Sequence, residues 1–240
     1  MRVDILGVGF DNVTMDEAVA RGCELLEQGG AHYVATPNPE IVEICRADAE
    51  AMAAVNGADL VLPDGIGVIY GAKLLGTPLR SRVPGIEFGT AMLAHCAETG
   101  KNVFLFGAKP GVAEQAARNL KKQFAGLQVV GTRNGYFADA ESDAIAAEIR
   151  ASGAELALVC LGAPKQEKWM ARYGEAAGAR LLLGLGGSLD VFAGVAQRAP
   201  EFYCKHNLEW FYRLIKNPSR AGRMMKLPLF LVHVAGEKRK

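Results

Sequence analysis

The 240-residue sequence predicts an α/β fold: a Rossmann-like, mostly parallel sheet with helices on both faces, followed by a C-terminal helical basic appendage. Three observations carry this reading. Short apolar runs alternate with longer segments of helical periodicity along nearly the whole chain. Runs such as Leu156-Ala-Leu-Val-Cys-Leu161 read as strands buried on both faces, which is the habit of parallel sheets. Half of the residues are hydrophobic, ample for a core, and no internal repeat or low-complexity segment appears.

In chain order, Val3 to Val8 is a short first strand, and Thr14-Met-Asp-Glu17 is a capping box that opens the first helix. His32 to Thr36 is a second strand ending in Thr36-Pro-Asn-Pro39, whose prolines stiffen the turn before a helix from Glu40 to about Val55. Leu60-Val-Leu-Pro-Asp64-Gly-Ile-Gly67 reads as a buried strand, a tight turn and the start of a helix running to Leu75. Asp64 thus stands at the carboxyl end of a strand, the edge at which open α/β sheets bind ligands. Two readings stay open: a general base, or a cap for the helix that follows. Asn38 is likewise either part of that edge or the cap of its helix.

A polar connection, Gly76 to Gly85, carries Arg80 and Arg82 and leads to a helix from about Ile86 to Thr99. Asn102 to Gly107 is a strand, and Lys109-Pro-Gly-Val-Ala-Glu114 opens a helix whose free backbone N–H groups suit an anion. Leu127 to Val130 is a strand before Asn134-Gly-Tyr-Phe137 and a helix from about Ser142. Leu156 to Leu161 precedes Gly162-Ala-Pro-Lys-Gln-Glu-Lys168, which starts a helix, and Arg180 to Leu183 runs into Gly184-Leu-Gly-Gly-Ser-Leu-Asp190. No dinucleotide fingerprint is present: Gly7-Val-Gly9 meets Asn12, and Gly184-Leu-Gly186 meets Leu189, where a third glycine would stand.

The tail differs from the rest. From Glu201 to Lys240 nine Lys or Arg face three Asp or Glu, a net +6, whereas the first 200 residues carry 18 basic against 23 acidic, a net −5. Arg213, Lys216, Arg220, Arg223 and Lys226 recur at helical spacings among Trp210, Phe211, Tyr212, Met224 and Met225. This is the pattern of an amphipathic segment on an anionic membrane, with a helical hairpin packed on the core as the alternative. No nucleic-acid module is recognisable. The division expected is 1–195 for the α/β core and 196–240 for the appendage. Five scattered cysteines without metal spacing read as buried thiols in a reducing compartment. With no signal peptide and no apolar run long enough to span a bilayer, the expected location is cytoplasmic, peripheral on the inner face of the membrane. His32, His95, His206 and His233 show no obvious partners in the sequence.

With these residues assembled, the chain resembles the WecG/TagA/CpsF family of bacterial glycosyltransferases. The resemblance rests on Thr36-Pro-Asn-Pro-Glu40, Leu62-Pro-Asp-Gly-Ile-Gly67, Arg82-Val-Pro-Gly85, Gly135-Tyr-Phe137, Gly162 to Lys168, Gly187-Ser-Leu-Asp190 to Gly194, Arg198-Ala-Pro200 and Leu208 to Arg213. Each motif is short, but eight in the family's order over about two hundred residues are specific. The resemblance implies transfer of N-acetylmannosamine from its UDP donor to undecaprenyl-diphosphate-linked N-acetylglucosamine on the cytoplasmic membrane face, in wall teichoic acid or related cell-surface polysaccharide synthesis. It places the base on Asp64 with Thr36 beside it, associates Arg82 and Gln166 with the site, and puts the appendage's functional arginines on Arg213, Arg220 and Arg223. It also implies that the appendage closes the site and docks on the membrane, and that the protein can self-associate.

An inverting transfer needs one base for the acceptor hydroxyl and stabilisation for the departing diphosphate. Asp48-Ala-Glu50 and Asp139-Ala-Glu141 come nearest to an Asp-x-Asp metal motif, and both look like helical or capping acids, so no cofactor and a metal-independent reaction are expected. The tail arginines could then meet the diphosphate. Asn134, Tyr136, Gly162 and Gln166 are the candidates for uracil and ribose; Gln166 could equally cap a helix start. Asp190 is either a ligand contact or, with Arg198, an ion pair at the appendage hinge. Another UDP-sugar donor, such as UDP-glucose or UDP-N-acetylmannosaminuronic acid, stays open, as does a non-catalytic, membrane-associated nucleotide-binding protein. A uronic acid donor would want a further cation, from Arg80 or Arg82.

Overall fold

A computed structural model describes residues 1–197, 199–200, 202–203, 211–212, 215 and 226–238. Arg198, Arg213, Arg220 and Arg223, together with His206 and most of the aromatic stretch from Leu208, lie outside the described residues. The main sheet has six strands, β3 (His32–Ala35), β4 (Leu60–Val61), β5 (Asn102–Gly107), β6 (Gln128–Arg133), β7 (Leu156–Cys160) and β8 (Leu181–Gly184), in the order β4-β3-β8-β7-β5-β6. Every pairing in it is parallel.

The register explains the two covering layers. Val34 sits opposite Leu60 and Leu183, Leu158 opposite Leu183, and Val103 opposite Leu156. All of these side chains point to one face, where α1 (Met15–Glu27), α5 (Gly85–Thr99), α6 (Val112–Gln123) and α9 (Ser188–Phe192) close a single core. The intervening residues face the other way. Phe104, Phe106, Ala157, Val159 and Leu182 meet α7 (Ser142–Ala151) and α8 (Lys165–Ala177), while Ala35 and Val61 meet α2 (Pro39–Ala47), α3 (Ala49–Asn56) and α4 (Ile66–Leu75).

Three local readings need correction. The expected first strand is a hairpin outside the main sheet, β1 (Arg2–Ile5) antiparallel to β2 (Val8–Asp11), turning at Leu6 and Gly7, whose φ values of 56° and 88° are those of a tight two-residue hairpin turn. Its Asp11 carboxylate accepts the Val61 N–H at 2.8 Å, so the hairpin satisfies part of the exposed β4 edge. The helix expected from Glu40 to Val55 breaks at Asp48, which ends α2 and caps α3 by accepting the Ala51 N–H at 3.0 Å. The strand before Asp64 is two residues long, because Leu62 still donates to Ala35 but Pro63 has no N–H to continue the ladder.

The last described element, α10 (Lys226–Glu237), packs against α4 and α2. Phe230 and Val234 are fully buried in the same core as Ile5, Phe10, Val42 and Val68. The fit depends on absent side chains: a Cβ on Gly67 would lie 2.6 Å from Leu227 Cδ1, and one on Gly71 would lie 2.8 Å from Phe230 Cζ.

Candidate active site

The loops leaving β3 and β4 are bound into one unit at the carboxyl edge of the sheet. The Asp64 N–H donates to Pro37 O at 3.2 Å, and the Val83 N–H donates to Pro63 O at 3.0 Å. Gly65, at φ 114°, has room for no more than a close Cβ contact, at 3.4 Å, with Asn38 and Pro39. Thr36, Asn38, Asp64 and the Arg82-Val83 segment are therefore neighbours, as the strand-end reading expected. Of the two readings for Asn38 the structure displays the cap: its Oδ1 accepts the Ile41 N–H at 3.1 Å, with Pro39 opening α2. The cap position of α4 is Gly65, which leaves Asp64 half-buried on the loop before it.

A second layer lies one strand inward. Thr36 is buried and donates its hydroxyl to Gly184 O at 2.8 Å, tying the end of β3 to the end of β8. Its proton is committed there, so toward the cleft the oxygen acts as an acceptor. Gln166, also buried, accepts the Gly186 N–H at 2.9 Å and donates to Glu167 Oε1 at 2.8 Å. Both ends of its amide are engaged within the protein, on the β8–α9 turn and on Glu167 rather than on the start of α8. Burial pushes the Glu167 carboxyl above its ordinary range.

The candidates for a base and ribose gather at the other end of the edge. The Asn134 side chain accepts the Tyr136 N–H at 3.0 Å, and Gly135 donates to Ala108 O at 2.8 Å. That turn presents Tyr136, 67% exposed, to an open groove of about 640 Å³ lined by Gly135, Tyr136, Phe137, Leu161 and Lys165. Gly162 opens the turn toward it with φ 79°. Lys165 was not singled out in the sequence, yet its Nζ stands 3.7 Å from the centre of the Phe137 ring at the groove. Glu141 also lines the groove, but its carboxylate is taken by Arg133 at 3.2 Å and by the Ala138 N–H. At about 4.8 Å per strand, the turn after β7 is roughly 10 Å from Thr36 and the turn after β6 roughly 19 Å.

Between the two ends, Asp190 is half-buried on α9 and makes no ion pair among the described residues; Arg198, its suggested partner, lies outside them. Its charge adds to burial in holding the Cys160 thiol up at about 12, and burial does the same for Cys45 and Cys96. These three are buried, as expected, whereas Cys23 is half-buried and Cys204 lies outside the described residues. Two histidines do have partners that the sequence did not reveal. His32 Nδ1 meets Asp59 at 2.8 Å, and His233 Nδ1 meets Glu43 at 3.0 Å, with Arg46 beside it. Both pairs join segments far apart in the chain. The acids expected to be structural are so: Asp48 and Glu50 each hold Lys168 at 2.7 Å.

The model of the glycosyl transferase WecG/TagA/CpsF family matches residues 3–240. The chain is 36% identical over 214 residues to the N-acetylglucosaminyldiphosphoundecaprenol N-acetyl-beta-D-mannosaminyltransferase of Bacillus spizizenii, covering 89% of this chain and 82% of that one. It is 34% identical over 241 residues to proteins of the same description from Staphylococcus aureus strains MW2 and MRSA252, covering 100% of this chain and 94% of each of those.

Proposed function

The chain belongs to the WecG/TagA/CpsF family of glycosyl transferases, and on that premise we propose that it moves N-acetylmannosamine from UDP to an undecaprenyl-diphosphate-linked N-acetylglucosamine, inverting the anomeric centre, with Asp64 as the base. The observation that carries the proposal is the placement of Asp64 on a half-buried loop at the carboxyl edge, hydrogen-bonded to the Thr36–Pro39 loop, with the Tyr136–Lys165 groove at the other end of the same edge. In this reading the nucleotide lies toward the groove, with Tyr136 against the uracil and Lys165 toward the phosphates. The sugar then reaches Asp64. Asp64 takes the proton of the acceptor hydroxyl, the oxygen bonds to the anomeric carbon, and the bond to UDP breaks on the opposite face, its electron pair leaving with the diphosphate. The names of the relatives, which specify a β-linked mannosaminyl product on that acceptor, support it.

In the same proposal the diphosphate's charge is met by Lys165 and by Arg213, Arg220 and Arg223 of the appendage, and the enzyme works at the cytoplasmic membrane surface where its lipid acceptor resides. Among the described residues no helix is long and apolar enough to cross a membrane. Metal independence belongs to the same proposal, and it is supported by the commitment of Asp48, Glu50 and Glu141 to other partners. For a uronic acid donor Arg80 is not the further cation, since it gives its guanidinium to both oxygens of Glu17, at 2.7 and 2.6 Å.

The test is UDP release from UDP-N-acetylmannosamine with a lipid-diphosphate N-acetylglucosamine acceptor in EDTA, for the wild type and Asp64→Ala. Acceptor-dependent release that falls by about 100-fold or more in the variant is the expected result. Full activity in Asp64→Ala would remove the base assignment, and dependence on added metal would remove the metal-independent mechanism.

A further inference from the structure

Glu167 is 1% exposed, and among the described residues no Lys, Arg or His pairs with it. One carboxyl oxygen accepts from Gln166; the other is buried without a hydrogen-bond partner. The neighbouring elements offer no compensation. Cys45 on α2 is a protonated thiol, and Asp48 at the cap of α3 and Glu50 within it are occupied by Lys168. Burying a carboxyl in this way is unfavourable by several kcal/mol if it is charged, and still unfavourable if it is neutral. An apolar residue of the same size would fill the space at no such cost, so the carboxyl must serve something besides packing.

Its effect is on the amide beside it. A glutamine amide has one donating and one accepting end, and a half-turn exchanges them. With an acceptor at Glu167 Oε1, Gln166 Nε2 must face Glu167 and Gln166 Oε1 must face the Gly186 N–H. Without that acceptor Nε2 loses its partner, and the amide is held by the Gly186 N–H alone. Gly186 belongs to the turn after β8, and in the same turn Gly184 O receives the Thr36 hydroxyl. The turn is tight on the Gln166 side: a Cβ on Gly184 would lie 2.7 Å from Met170 Cε and 3.2 Å from Gln166 Nε2. The Glu167-Gln166-Gly186 chain therefore holds one side of a turn whose other side orients Thr36.

We propose that Glu167 is a positioning residue for the transfer step, accepting from Gln166 so that the β8–α9 turn and the Thr36 hydroxyl stay in register with the Asp64 loop. This rests on the transferase reading above. What matters is an acceptor at that point, not a negative charge, and this separates the role from both packing and electrostatics.

The test compares the wild type with Glu167→Gln, which keeps a carbonyl acceptor, and Glu167→Met, which fills the volume without one and removes the buried acid. Two quantities are read: exchange of the Gly186 amide hydrogen by NMR on glycine-labelled protein, and kcat and KM for UDP-N-acetylmannosamine. Glu167→Gln is expected to stay within about threefold of wild type in both, whereas in Glu167→Met Gly186 exchanges at least about tenfold faster and kcat falls about tenfold or more at nearly unchanged KM. The proposal is overturned if Glu167→Met keeps kcat, or keeps the Gly186 amide protected, or if Glu167→Gln loses as much as Glu167→Met. A wild type with no turnover would overturn the transferase reading by itself. The Gly186 exchange, which needs no substrate, would still decide whether Glu167 positions the turn.

Discussion

Replacing Phe230 by alanine tests how the C-terminal helix is held next to the catalytic loop. The Phe230 ring is fully buried against α4, close enough to Gly71 that a Cβ there would come within 2.8 Å of it. Phe→Ala in a packed core costs about 3–5 kcal/mol, while a domain of this kind is stable by about 5–15 kcal/mol. The sheet should therefore survive. A helix of 12 residues such as α10, by contrast, is marginal without its packing, so the loss falls on its docking equilibrium. Three kcal/mol is more than a factor of about 100 in that equilibrium. Hydrogen exchange followed by mass spectrometry reads it directly. Peptides covering 226–238 are expected to exchange about 100-fold faster, while those from β5, β7 and β8 keep the wild-type rate. Because Leu227 seats on Gly67, three residues after Asp64, transferase activity should fall in parallel. Equal acceleration in the central strands would show that α10 is no separable unit, and unchanged protection of 226–238 would refute the packing argument itself.

Other consequences follow from the same contacts. Thr36→Val removes the hydroxyl that satisfies Gly184 O and should destabilise by about 1–3 kcal/mol; Thr36→Ser should not, and equal midpoints for the two variants in thermal unfolding would discount that bond. Glu167 is held above its ordinary value of 4.5 by burial, so between that value and its folded one the folded protein keeps a proton that the unfolded chain releases. The stability it confers is therefore complete below 4.5 and lost as pH rises through the folded value, at about 1.4 kcal/mol per pH unit. Glu167→Gln should then gain in Tm over wild type as pH rises from about 4, and a constant difference across pH would contradict this. Lys165→Met should raise the donor KM about tenfold with a smaller change in kcat; an unaltered KM would move the phosphates away from the groove.

The sheet was legible because parallel strands covered on both faces cannot alternate. Leu156 to Cys160 is apolar at every position, and the structure buries all five. The caps at Thr14 and Asn38 could also be read, since each bonds to a backbone N–H three residues on. That same locality misled at the ends of elements. Val3 to Val8 has the composition of one strand, and only its packing on α4 and beside β4 turns it into a hairpin. Asp48 lies within a continuous helical pattern and divides it, because a residue that caps one helix also ends another.

The sequence by itself determined the succession of strands and helices, the turns that place Thr36, Asn38, Asp64, Asn134 and Gly162 at strand ends, and the family. These depend on interactions within a few residues, or on motifs that keep their order. Only the tertiary structure decided that β8 lies beside β3, so that Thr36 meets Gly184 across 148 positions, and that Lys165 faces the groove while Gln166 and Glu167 turn inward. Consecutive residues of a helix point about 100° apart. Which of three polar neighbours meets the ligand is therefore set by what packs against the helix from elsewhere in the chain, and no local pattern contains that.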